Sequence, residues 1–295
     1  MSEVYYPVLD TPDSVDLQFL VGDRAGTYID EEKRQTYTAA QSDPHTMSWR
    51  VTTGNAAHNW RIVKTVFTDP SRNALIERVT FQALNGTRLS DHNLYLLFKP
   101  SLDNSGMGNS AYTATAGNGK TMLIANRNTG YSALATSLPW KKQDGVAMVS
   151  NGFVGKSDGW TDLLGGTSPD RQMNWTYASA PNGNVAQMGW LDFGARTDTA
   201  ISFDIALAFD STSVGNAMAT ANGTLGDDLE RLRAQYDESW HTYAAGLSTL
   251  GNAADNEYYL AAMTLKTMQD KSNGAMIAGI GTPWGETQSD ANSGG

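Results

Sequence analysis

One segment restricts the fold more than any other. Residues 200–210, AISFDIALAFD, put Ile201, Phe203, Ile205, Leu207 and Phe209 at every second position. A strict period of two is how a β-strand buries one face. Weaker versions recur upstream. Residues 17–21 break at Gly22-Asp23, and 46–53 alternate through Met47, Trp49 and Val51. WRIVKTVF (60–67) and ALIERVTFQAL (74–84) flank the Asp69-Pro70-Ser71 turn as a hairpin pair. NLYLLFK (93–99) is apolar enough for a central strand covered on both faces. Val4-Tyr5-Tyr6 reads as a strand ended by Pro7, with short strands at 121–126, 131–135 and 146–150. The Gly-, Ser-, Asn- and Asp-rich stretches 101–119 and 152–170 read as long loops, with Trp140 and Trp160 in or beside them. Those two rings either plug the open ends of a sandwich or stack on sugar. Many strands without intervening helices predict antiparallel sheets packed face to face.

The period then switches. Leu229, Leu232, Tyr236, Trp240, Tyr243 and Leu247 share one face of a helix over 227–247, with charges such as Glu230, Arg231, Arg233 and Glu238 largely elsewhere. Trp240 and Tyr236 are expected to bury against the sandwich. A second helix is read over 255–270, with Tyr258, Ala262, Leu265 and Met268-Gln269 as its buried face. Lys271-Ser-Asn-Gly274 stops it, with a cation in the last turn and a glycine beyond. The loop that follows ends in Gly-Thr-Pro-Trp-Gly-Glu, 281–286. Trp284 between glycines is either part of a domain-closing loop or a sugar-stacking platform.

The chain has 295 residues, 40% hydrophobic and 18% charged, enough to bury a large core in one or two domains. Lys and Arg number 21 against 31 acids, a formal charge of −10. That balance disfavours nucleic acid and anionic membrane surfaces as partners, and a neutral polymer is indifferent to it. The absence of cysteine excludes disulfides, thiolate metal sites and cysteine nucleophiles. No apolar run approaches the ~20 residues of a membrane span. The visible start carries neither the basic nor the apolar region of a secretory signal.

No constellation announces chemistry. His45, His58, His92 and His241 are dispersed and lack ligand spacing. No Gly-x-Ser-x-Gly elbow and no phosphate loop occurs. Asp158 and Asp162 could offer loop carboxylates to Ca2+.

Four stretches carry a resemblance. LKTMQDKSNGAMIAGIGTPWGE, from 265 to 286, is similar to the start of the catalytic domain in bacterial glucoamylases and glucodextranases, the glycoside hydrolase family 15 enzymes. SEVYYPVLDTPDSVDLQFLVGD, 2–23, resembles the family's amino-terminal β-domain, and WRIVKTVFTDPSRNALIERVTF and YLLFKPSLDNSGMGN fit the same domain. The order is right over most of the chain. The resemblance implies a mainly β protein: a large antiparallel two-sheet super-β-sandwich, mutarotase-like, over 1–215. A helical linker over 216–252 would follow, then the first helix of a truncated α/α barrel over 253–295. The whole enzyme would release glucose from the non-reducing ends of α-glucans with inversion, without a redox cofactor. Its catalytic glutamates would lie in the barrel, downstream of Gly295, so no catalytic residue is assigned here and the chain alone is expected to be inactive. From their place in the loop, Trp284 and Glu286 are the candidate substrate contacts. The partners implied are an α-glucan or oligosaccharide and an intramolecular barrel, and the compartment implied is secreted or periplasmic. A free-standing carbohydrate-binding sandwich and a mutarotase-like enzyme, which needs His and Glu converging in a groove, are the alternatives.

Overall fold

A computed structural model describes residues 3–9, 11–166, 169–251, 255–270 and 273–277. Its first strands are β1 (Ser14–Asp23), β2 (Ile29–Glu31), β3 (Thr36–Gln41) and β4 (Trp49–Asn55). The predicted hairpin follows as β5 (Trp60–Thr68) and β6 (Ala74–Ala83), then β7 (His92–Pro100), β8 (Asn109–Thr115), β9 (Thr121–Arg127) and β10 (Gly130–Thr136). A small hairpin of β11 (Lys142–Gln143) and β12 (Val146–Ala147) precedes β13 (Val149–Phe153). The short helix α1 (Gly159–Leu164) leads to β14 (Ser179–Gly183), β15 (Val185–Leu191) and β16 (Ala200–Asp210). Three helices close the described chain: α2 (Val214–Gly226), α3 (Leu229–Ala245) and α4 (Asp255–Thr267).

The protein is mainly β. Two antiparallel sheets stack on one another, a five-stranded one ordered β13-β15-β7-β1-β2 and a nine-stranded one ordered β14-β8-β9-β10-β16-β6-β5-β4-β3. The alternation in 200–210 does what it predicts: Ile201, Phe203, Ile205, Leu207 and Phe209 are all buried in the core between the sheets. They face Leu17, Phe19 and Val21 of β1 and Leu94, Leu96 and Phe98 of β7. Phe19 meets Phe203 edge-on at 5.9 Å. β7 is buried at every position, because its other face, Tyr95 and Leu97, lies under Leu163 and Met173 from α1 and the loop after it.

Charge is also buried between the layers. Lys64 Nζ lies 2.8 Å from Glu32 and 3.7 Å from Glu77, all three side chains almost fully covered. The two carboxylates outweigh burial and hold the ammonium group well above its usual range. Two of the three β-domain stretches of the resemblance meet at Asp13, whose carbonyl accepts from Ser101 N–H and whose carboxylate accepts from Asp103 N–H at 2.9 Å.

Several local readings need correction. Val4-Tyr5-Tyr6 is no strand: Tyr5 makes an isolated bridge to Pro12. The loop read over 101–119 contains β8, and 152–170 contains α1, started by Asp158 accepting from Thr161 N–H. Trp140 lies inside the core, its indole N–H donating to the Thr121 carbonyl and its ring against Gly189, where any Cβ would collide with it. In α4 the buried residues are Tyr259 and Met263, while Leu265 is exposed, so the helix is turned by about one residue from the predicted face. Trp240 is half-buried, and it packs on α4 and Met47 instead of sinking into the sandwich.

Candidate functional site

The outward face of the nine-stranded sheet is where the structure leaves a site. One end of that face is covered by α2, whose Ala217 and Ala221 sit on Ala133, Ala135, Ala206 and Ala208. Another part lies under the first turns of α3, where Leu229 and Leu232 meet Phe67 and Ile76. Between and beyond them the sheet stays open, as a groove of about 660 Å3 walled on one side by Glu230 and Arg233 of α3.

Strand register builds its floor. Ala40, Arg50, Thr65, Arg78 and Asp204 are direct neighbours across β3, β4, β5, β6 and β16. A second row, two residues along, runs Val63, Thr80, Ser202. With strands about 4.8 Å apart, the row from Arg50 to Asp204 spans roughly 14 Å. Arg78 is its hub, donating to Asp204 at 2.9 Å and also to Glu230. The Thr80 and Ser202 hydroxyls bond at 2.9 Å. Arg233 Nε is buried 3.4 Å from Asp237 without making a hydrogen bond, and the exposed Arg50 guanidinium has no partner among the described residues. Arg50, Arg78 and Arg233 are thus offset by Asp204, Glu230 and Asp237, on a chain whose overall charge is −10.

This arrangement binds better than it catalyses. Inverting hydrolysis needs one carboxyl free to give a proton and another free to activate water, ~6.5–9.5 Å apart. Here both groove carboxylates are tied to the same guanidinium. No histidine lines the groove, so the His–Glu convergence of a mutarotase-like site is not found there.

The predicted site residues fall elsewhere. Trp284 and Glu286 lie outside the described residues. Asp158 and Asp162 spend their oxygens on internal donors: Asp158 takes Gly155 N–H and the Thr161 hydroxyl and N–H, and Asp162 takes the Asn174 and Trp175 N–H groups. Among the described residues no group of three or more metal-ligating side chains forms. Trp160 is half-buried beneath the Lys33 ammonium, 4.4 Å from its ring centre. Tyr28 links two of the dispersed histidines. His58 stacks on Tyr28 and bonds Asp30 at 2.7 Å, while Tyr28 reaches buried His92 at 3.2 Å. Burial holds the His92 imidazole below its ordinary range. No helix of the described residues is long and apolar enough to cross a membrane.

The groove residues escape the sequence because each is an unremarkable polar position on an alternating strand. Only the pairing of five strands, one of them more than a hundred residues from the others, places them in rows.

Stacked antiparallel sheets with helices laid on their outer faces define a β-sandwich domain, and comparison with known proteins agrees. The chain belongs to the glucodextranase N-domain family, whose model matches residues 1–245. It is 33% identical, over 296 aligned residues and 100% of its length, to a glucoamylase of Clostridium sp. (strain G0005), of which it covers 40%. It also superposes on a bacterial glucoamylase solved in complex with acarbose, at 31% identity and TM-score 0.85, over 96% of this chain and 40% of that one. The chain therefore spans about 40% of the length of these relatives.

Proposed function

We propose that the chain is the amino-terminal part of an inverting glucoamylase-type glycoside hydrolase that releases glucose from the non-reducing ends of α-glucans. The observation that carries this reading is likeness to a glucoamylase along the whole chain, in sequence and in shape. The relative's acarbose complex supports an oligosaccharide substrate. In this reading 1–215 form the sandwich, 216–252 the helical linker and 253–295 the start of the catalytic α/α barrel. The last sheet strand ends at Asp210 and α2 begins at Val214, which supports the first boundary. The sandwich works structurally, and the acid and base come from the barrel. The chemistry draws on carboxylates and water, with no redox cofactor.

The test uses a protein of the relatives' length that contains this chain. Proton NMR of maltotriose digests should show β-glucose appearing first. α-Glucose as the first product would replace inversion by retention, and no glucose at all would remove the glucoamylase reading.

A further inference from the structure

We infer that the groove on the outer face of the nine-stranded sheet is a binding site for a neutral α-glucan chain. The choice of a glucan as the polyol rests on the function proposed above; the choice of a neutral, hydroxyl-rich ligand rests on the groove itself. Its three arginines are matched by Asp204, Glu230 and, behind Arg233, Asp237, so an anionic ligand meets Asp204 and Glu230, and a cationic one meets Arg50, Arg78 and Arg233. A ligand without charge avoids both penalties.

What the groove offers such a ligand is hydrogen bonding. Arg50 is a donor without an acceptor among the described residues, and Thr65, Thr80 and Ser202 add hydroxyls that both give and take. Sugar hydroxyls both donate and accept, and so fit this mixture. The donors stand in rows at the strand spacing, along a length of roughly 14 Å that suits a short oligosaccharide lying across the strands. Ala40 and Val63 supply small apolar patches for the C–H face of a pyranose. The volume, about 660 Å3, lies within the usual range of small-ligand sites. No exposed ring stacks on the ligand here: Phe203, the one aromatic side chain among the lining residues, is buried in the core. Binding is therefore polar, modest in affinity and dependent on the arginines.

The experiment is a calorimetric titration of the 295-residue chain with maltoheptaose. Saturable binding is expected, weakened about tenfold or more by Arg50→Ala, which removes a charged donor. Ser202→Tyr, on the outward face, should block the groove without touching the core. Tyr177→Ala, at an exposed ring outside the lining, should leave binding unchanged, and unaltered melting curves establish that each variant is folded. No binding at millimolar maltoheptaose overturns the inference. So does binding that ignores both Arg50→Ala and Ser202→Tyr, which puts the sugar elsewhere. Protection of the groove strands from hydrogen exchange in a relatives-length protein, with no response to sugar, assigns the groove to a domain contact and also overturns it. Glucose release by that longer protein from maltose tests the proposed function separately, since it requires no occupancy of the groove.

Discussion

Two helices lie on the same outer sheet face and are held there in opposite ways. α2 presents alanine to alanine: Ala217 and Ala221 are wholly buried on Ala133, Ala135, Ala206 and Ala208, so helix and sheet approach closely. Its end is fixed by polar groups, Thr224 donating to buried Asp69 at 2.7 Å and Arg72 bridging Asp69 and Asp227. α3 presents large side chains and divides them. Leu229 and Leu232 bind the sheet through Phe67 and Ile76, while Trp240 and Tyr243 serve α4. The seam under α2 has no space to give and little area to lose. The contact of α3 is made by larger side chains, some of them directed at another helix. A close-packed seam fails when something is added, and a large-side-chain contact fails when something is removed.

Four substitutions test that contrast, in falling order of effect. Leu232→Ala, at a site 1% exposed, should cost about 3 kcal/mol in urea unfolding. A loss under about 1 kcal/mol would mean that α3 is not held by the sheet. Ala221→Leu should cost about 2 kcal/mol by overpacking, whereas Ala→Leu at an exposed α3 position such as Ala234 should be nearly neutral. Equal effects would erase the distinction.

The third concerns pH. Burial alone raises the Asp69 carboxyl, but the Ser71 N–H, the Thr224 hydroxyl and Arg72 outweigh it and hold it below the ordinary carboxylate range. A depressed carboxyl contributes stability above its unfolded value, near 4, and loses it as pH falls through the folded value. Asp69→Asn should thus cost on the order of 1–2 kcal/mol at pH 7 and flatten the acid loss below pH 4. An unchanged acid limb would show that the anchor of α2 is not electrostatic. The smallest effect is Trp240→Ala, on the order of 1 kcal/mol, because the ring is only half-buried. Its readout is faster amide exchange in α4 with β16 unaffected.

The same contrast explains what the sequence made legible. Residues 200–210 and 93–99 announce themselves because large apolar side chains repeat at the strand period, or fill it. α3 is visible for the same reason at the helical period. α2 is not: a stripe of alanine, interrupted by Gly215, Gly223 and Gly226, offers almost no hydrophobic contrast although it buries completely. In α4 the sequence offers two adjacent stripes, one through Tyr258 and one through Tyr259. Which of them turns inward is settled by the meeting with Tyr243 and Ala244, which periodicity cannot express. The groove is hidden more deeply. Thr65, Arg78 and Asp204 carry no motif, and their alignment is a property of register alone.

In the function proposed above, this domain belongs to a glucoamylase without doing its chemistry. The direct measurement is glucose release by the purified 295-residue chain from maltose, isomaltose and soluble starch, read against a buffer blank. None is expected, because the two carboxylates that converge in the groove are bound to Arg78 and neither is free to act as acid or base. Turnover that survives repurification and disappears on Asp204→Asn or Glu230→Gln would contradict it.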